Sequence, residues 1–167
     1  TGDPNTAPAY SQAVEALYGV SYAVKFAVKK RDPEQDYSVM PLEGLWWAED
    51  MASFSVERKG DWLWTMMILQ PEWVTAKLVE QVIAETARKK DLPALPGLRF
   101  EAYHEGLAAQ ILHVGPYSAE GPAVQALHDA IAAEGYALSG KHHEIYLGDP
   151  RRTAPEKLKT IIRQPAA

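Results

Sequence analysis

The chain has 167 residues with 22 acidic and 17 basic side chains, a net charge of −5, and no run of Lys or Arg able to track a phosphate backbone, so nucleic acid is not an expected partner. The absence of cysteine excludes disulfides and thiolate-ligated zinc, and with no signal peptide or unbroken apolar span the sequence points to the cytoplasm and away from a membrane. Five Trp and eight Tyr are more rings than a core of this size needs, and rings in such number often line a pocket.

Thr1-Gly2-Asp3-Pro4-Asn5 reads as a turn, where a domain rarely begins, so a strand is expected to precede Thr1. Apolar spacing predicts a helix from about Ala9 to Lys30, closed by Lys29, Lys30 and Arg31 against its negative end and stopped at Asp32-Pro33. Tyr18, Tyr22 and Phe26 at i, i+4 and i+8 are expected to pack in the core, with Tyr22 singled out as a hydroxyl that could face a cavity. Two strand-like runs follow, Tyr37 to Ala48 and Trp62 to Gln70, with Arg58-Lys59-Gly60-Asp61 as a turn between them. The second is apolar on both faces and is expected to be a central strand.

Thr75 to Lys90 is an amphipathic helix, and Leu92-Pro93-Ala94-Leu95-Pro96-Gly97 is a rigid loop taken as the seam between halves of about 1–91 and 98–167. Strands are predicted over Leu98–His104 and Gly106–Val114, a helix over Glu120–Glu134, and further strands around Glu144 and from Thr160 to Gln164. The order strand, helix, strand, strand describes residues from about 107 to 164. With a strand ahead of Thr1 it would also describe residues up to about 70, an internal repeat of topology without residue-level similarity.

The chemistry concentrates between Gly140 and Pro150. Period-2 alternation sends Ile145 and Leu147 to one face of a short strand and His142, Glu144 and Tyr146 to the other; a solvated strand face is the plain alternative. A carboxylate held among rings such as Trp46, Trp47, Trp64 and Tyr146 is desolvated, and either rises in pKa or demands a cation. It would hold flat lipophilic cations, or act as a general base on water attacking a strained electrophile. Glu43 is a second candidate carboxylate or a rim residue. The histidines do not make a metal site, because adjacent His142 and His143 point to opposite faces and no His-x-x-x-His pair lies on a helix. His113 is expected to order a turn, and neither a phosphate-binding glycine loop nor a Gly-x-Ser-x-Gly elbow is present.

His113-x-Gly115-Pro116-Tyr117, then a helix, then Glu144-Ile145-Tyr146-Leu147-x-x-Pro150 resembles the GyrI-like small-molecule-binding proteins. Met40-Pro41-Leu42-Glu43-Gly44-Leu45-Trp46-Trp47 with His142-His143-Glu144-Ile145-Tyr146 is similar to the stand-alone branch of that family, which lacks a DNA-binding domain. The resemblance implies an α+β fold of duplicated strand-helix-strand-strand (SHS2-type) modules with pseudo-two-fold symmetry, an antiparallel sheet, a ligand cleft between the halves and a missing first strand. It implies a single domain over 1–167 that binds bulky planar, often cationic, xenobiotics in the manner of multidrug-binding proteins, with no cofactor. Some stand-alone relatives are hydrolases that open cyclopropane-bearing DNA-alkylating toxins, which carries the base over to Glu144 and the ring walls to Trp46, Trp47 and Tyr146. Tyr103 and Tyr22 are added by face-counting, Tyr103 as a catalytic candidate; oligomeric state and natural ligand are left open.

Overall fold

A computed structural model describes residues 1–51 and 56–167. Among them run helices α1 (Pro8–Arg31), α2 (Ala76–Lys89) and α3 (Gly121–Ala133), and strands β1 (Leu42–Trp47), β2 (Leu63–Ile68), β3 (Ala108–Val114), β4 (His142–Tyr146) and β5 (Lys159–Pro165). The strands form one five-stranded sheet in the order β2-β1-β4-β5-β3, in which β1–β4, β4–β5 and β3–β5 pair antiparallel. The chain is α+β, as the sequence predicts, and its segments gather into two compact units that interleave along the sequence.

The first unit is built mainly of Thr1–Met40 and Met66–Ala102. Pro8 opens α1, where a missing N–H costs nothing, and Lys29, Lys30 and Arg31 close it at the negative end of its dipole. Asp36 folds back to accept hydrogen bonds from Lys25 and then Lys29, which hold its carboxyl at about 2. Thr75 caps α2 by accepting from the Leu78 N–H at 3.3 Å. The core is the Val20-Val24-Val28 ridge of α1 against Val79 and Val82 of α2, closed by Leu92 and Leu95. The stretch expected to be a seam thus contributes two core side chains. The aromatic stripe is not core: Tyr22 and Phe26 are 48% and 59% exposed, and Tyr22 stacks between Tyr18 and Phe26. The valine ridge, on the nearly opposite side of the helix, takes the buried face instead.

The second unit comprises β1, the start of β2 at Leu63–Thr65, and Tyr103–Ala167. Helix α3 lays Leu127 and Ile131 on Ile162, Ala109 and Ile111, so it covers one face of the β3–β5 end of the sheet. Ile162 stands directly opposite Glu144 in the β4–β5 register. Residues directly opposite share a face, so Glu144 lies on the α3 side of the sheet.

Several expectations change. Strand β2 is an edge strand, not a central one: a run apolar on both faces specifies covered faces, not two hydrogen-bonded neighbours. The first strand begins at Leu42 instead of Tyr37, just past Pro41, which has no N–H for the ladder. Leu98–His104 forms no strand, although it alternates; Leu98 packs on the first unit's core while Arg99 and Glu101 pair at the surface. Arg58–Asp61, expected as the turn ahead of the second strand, lies within a 3-10 segment that ends just before β2.

Candidate active site

Strand β4 separates two polar clusters by the alternation of its side chains. On the α3 side, Glu144 is held by neighbours two residues away on its own strand. The Tyr146 hydroxyl donates to Glu144 Oε2 at 2.7 Å, and His142 Nε2 lies 3.0 Å from Oε1. An ionised carboxylate only accepts, so Nε2 is the protonated nitrogen of that ring. Trp46 donates its indole N–H to the Tyr146 oxygen at 3.0 Å, completing a relay from indole to phenol to carboxylate. Trp46 is 4% exposed and pairs with His142 across the β1–β4 ladder. Tyr117 sets its ring edge-on to Tyr146 with centroids 5.6 Å apart.

Tyr117 is placed by the turn that the sequence anticipates. His113 Nε2 donates to the Pro116 carbonyl at 3.1 Å, and Gly115 adopts φ +140°, a conformation side-chain-bearing residues rarely take. That turn also delivers a residue the sequence reading passed over as a helix start, Glu120. Its backbone carbonyl accepts the first helical bond of α3, from Val124. A carboxylate at a helix N-terminus is ordinary, so nothing in the sequence marks it. In the fold it is 7% exposed, and its Oε1 has no hydrogen-bond partner among the described residues. Burial, and next the charge of Glu144, push its carboxyl up to about 8. The two glutamates are therefore unlike: one receives two hydrogen bonds, while the other is buried beside Thr160, whose hydroxyl only partly offsets the upward push on its carboxyl.

Two more buried polar atoms in this unit lack a partner among the described residues, Thr160 Oγ1 and His128 Nε2. Thr160 pairs with Tyr146 across β4–β5, and burial followed by the charge of His142 lowers the His128 pKa.

The opposite face holds a different constellation. His143, 1% exposed, has Nε2 at 2.9 Å from Glu43 Oε2 and Nδ1 at 2.7 Å from Glu105 Oε1. The doubly donating form of the ring satisfies both carboxylates. Arg163 donates to Glu105 Oε2 at 3.1 Å, and Tyr103 stands edge-on to His143. Burial, then the Glu105 charge, raise the Tyr103 hydroxyl above the ordinary tyrosine range.

Of the residues singled out in the sequence, His142, Glu144, Tyr146 and Trp46 come together. Glu43 and Tyr103 belong to the His143 cluster and do not meet Glu144. Trp47, one residue on from Trp46, points to that other side and carries the Lys141 ammonium 3.5 Å above its ring. Trp64 is half-buried on β2, and Tyr22 sits on the exposed stripe of α1. Among the described residues no three His, Asp or Glu side chains are arranged to hold a metal ion, and no helix is long and apolar enough to cross a membrane.

Residues 1–166 match the GyrI-like small molecule binding domain. The chain belongs to the GyrI-like family. This GyrI-like chain is similar over its whole length to the crystal structure of an uncharacterized conserved protein from Listeria innocua, with 36% identity, a TM-score of 0.91 and 84% of that chain covered. It is also similar to two crystal structures of hydrolases from the same organism. Identities are 35% and 37% and TM-scores 0.83 and 0.84, each over 99% of this chain and 83% of the other. No curated protein matches the GyrI-like chain.

Proposed function

We propose that this GyrI-like protein is a hydrolase that adds water to a strained electrophile, a cyclopropane ring borne by a bulky planar lipophilic molecule, with Glu144 as general base. The observation that carries this reading is the orientation of Glu144: each oxygen is fixed by a donor, Tyr146 on one and His142 on the other. Each oxygen retains a further lone pair for a water proton, and fixed geometry is what general-base catalysis requires. The two Listeria innocua hydrolase structures, similar over nearly all of this chain, support a hydrolytic reaction. Trp46 and Tyr146 supply ring surface beside the carboxylate, with Tyr117 against Tyr146, and flat substrates stack on such rings. The duplicated strand-helix-strand-strand plan belongs to this proposal as well, since β3, α3, β4 and β5 follow one another in that order.

Sequestration of planar cations by the same carboxylate is the second reading, favoured by the number of rings around an anion. Turnover separates the two. A cyclopropane-bearing alkylator incubated with substoichiometric protein should gain one water over many cycles, followed by mass spectrometry, and Glu144→Gln should abolish the gain while still binding. Return of the alkylator unchanged would remove the hydrolytic reading in favour of binding alone.

A further inference from the structure

Water addition to a cyclopropane needs more than a base. As the water oxygen bonds to the ring carbon, the ring C–C bond breaks and its electron pair must go somewhere. In a substrate whose cyclopropane is conjugated to a carbonyl, the pair ends on the carbonyl oxygen, and that oxygen takes up a proton. Among the described residues, Glu120 Oε1 is a buried carboxyl oxygen that no protein group engages.

We infer that Glu120 is the general acid of this reaction, a further catalytic residue that protonates the oxygen receiving the electron pair as the ring opens. The inference rests on the hydrolytic reading above. Glu120 is more than nine-tenths buried, its Oε1 has no partner among the described residues, and Glu144 acts on it from β4 as the nearest charge of consequence. Thr160 of β5 faces it from the sheet, while His142 and Tyr146 are already engaged with Glu144 and His128 follows two turns along α3. A carboxyl raised to about 8 keeps its proton at neutral pH. The proton balance closes: Glu144 takes one from water, Glu120 gives one to the carbonyl oxygen, and transfer between the two, directly or through solvent, restores the resting pair. The product is the hydrated, ring-opened enol or phenol, with no oxidant or reductant involved.

The test measures kcat and KM against pH for the full chain acting on a series of carbonyl-conjugated cyclopropanes that differ in the acidity of the product hydroxyl. For the wild-type protein kcat should fall as pH rises through about 8. Glu120→Gln should lower kcat by roughly 10²–10⁴-fold with little change in KM, lose that limb, and recover toward wild type as the product hydroxyl becomes more acidic. Glu120→Asp, which keeps a proton on a shorter arm, should retain the limb at reduced rate, and it carries the test if the Gln variant does not fold. Full activity of Glu120→Gln with an unchanged pH profile, or a deficit identical across the series, overturns the acid role while leaving Glu144 as base. No turnover of any member by the wild-type protein overturns the hydrolytic reading and the acid role together.

Discussion

Gly44 stands directly opposite Glu144 in the β1–β4 ladder, and the space its missing side chain leaves is filled by the indole of Trp46 and the hydroxyl of Tyr146. A Cβ at this position would lie 2.6 Å from Trp46 Nε1, closer than real Cβ atoms approach, and 3.1 Å from Tyr146 Oη, a tight contact that requires the phenol to give way slightly. The glycine thus allows the indole to fold back along its own strand and reach the phenol. Gly44→Ala should force both groups aside and destabilise the protein by about 1–3 kcal/mol. Denaturant unfolding checks the stability, and the indole N–H resonance of Trp46 reports the lost hydrogen bond; an unchanged midpoint and resonance would refute the close approach.

Tyr146→Phe removes the donor to Glu144 Oε2 and the acceptor of the Trp46 indole in one step. Hydrogen bonds to charged groups contribute about 1.5–3 kcal/mol, and a buried N–H left alone adds its own cost. The variant should lose about 2–4 kcal/mol of stability and most of any turnover. A fall in turnover without any change in stability would mean that the relay does not support the fold.

The raised carboxyl of Glu120 makes stability depend on pH with a definite sign. Between the ordinary value of 4.5 and about 8 the folded protein holds this proton and the unfolded chain does not, so the stabilising contribution is complete below 4.5 and is lost as pH rises through about 8. Within that window stability should fall with pH at up to about 1.4 kcal/mol per unit from this group. Glu120→Gln should flatten the slope and raise the melting temperature above pH 8. A wild-type melting temperature that falls across the window by no more than it does in the Gln variant would oppose this.

Replacing His143 should damage the fold more than replacing any exposed residue. Removing the ring leaves Glu43, 4% exposed, and Glu105 without their shared partner, and breaking a buried ion pair from one side costs about 3–5 kcal/mol. His143→Leu should therefore unfold at markedly lower denaturant, and the triple change with Glu43→Gln and Glu105→Gln should recover much of the loss. Additive losses in the triple variant would show that the three do not act as a unit.

Much of this architecture is local in origin, and to that extent it was readable along the chain. The three helices follow from 3.6-residue periodicity and their charged or capped ends. The division of β4 into His142, Glu144 and Tyr146 on one side follows from strand alternation alone. The turn at His113 is likewise a short-range matter, settled by one glycine conformation and one side-chain-to-backbone bond within three residues.

What the sequence could not decide depends on partners far along the chain. Alternation places Glu43 and Trp46 on opposite sides of β1, but only the register with β4 shows that Trp46 joins Glu144 while Glu43 joins His143, 100 residues away. The edge position of β2 and the surface position of the Tyr18-Tyr22-Phe26 stripe likewise depend on what packs against each element, and hydrophobic pattern does not name the neighbour. Glu120 is the clearest case. By sequence it is only the first residue of a predicted helix, and the positive end of a helix dipole favours a charged carboxylate. Burial near a second carboxylate, a property of the tertiary structure only, inverts that expectation, because removing water raises the cost of a charge by more than the helix end repays.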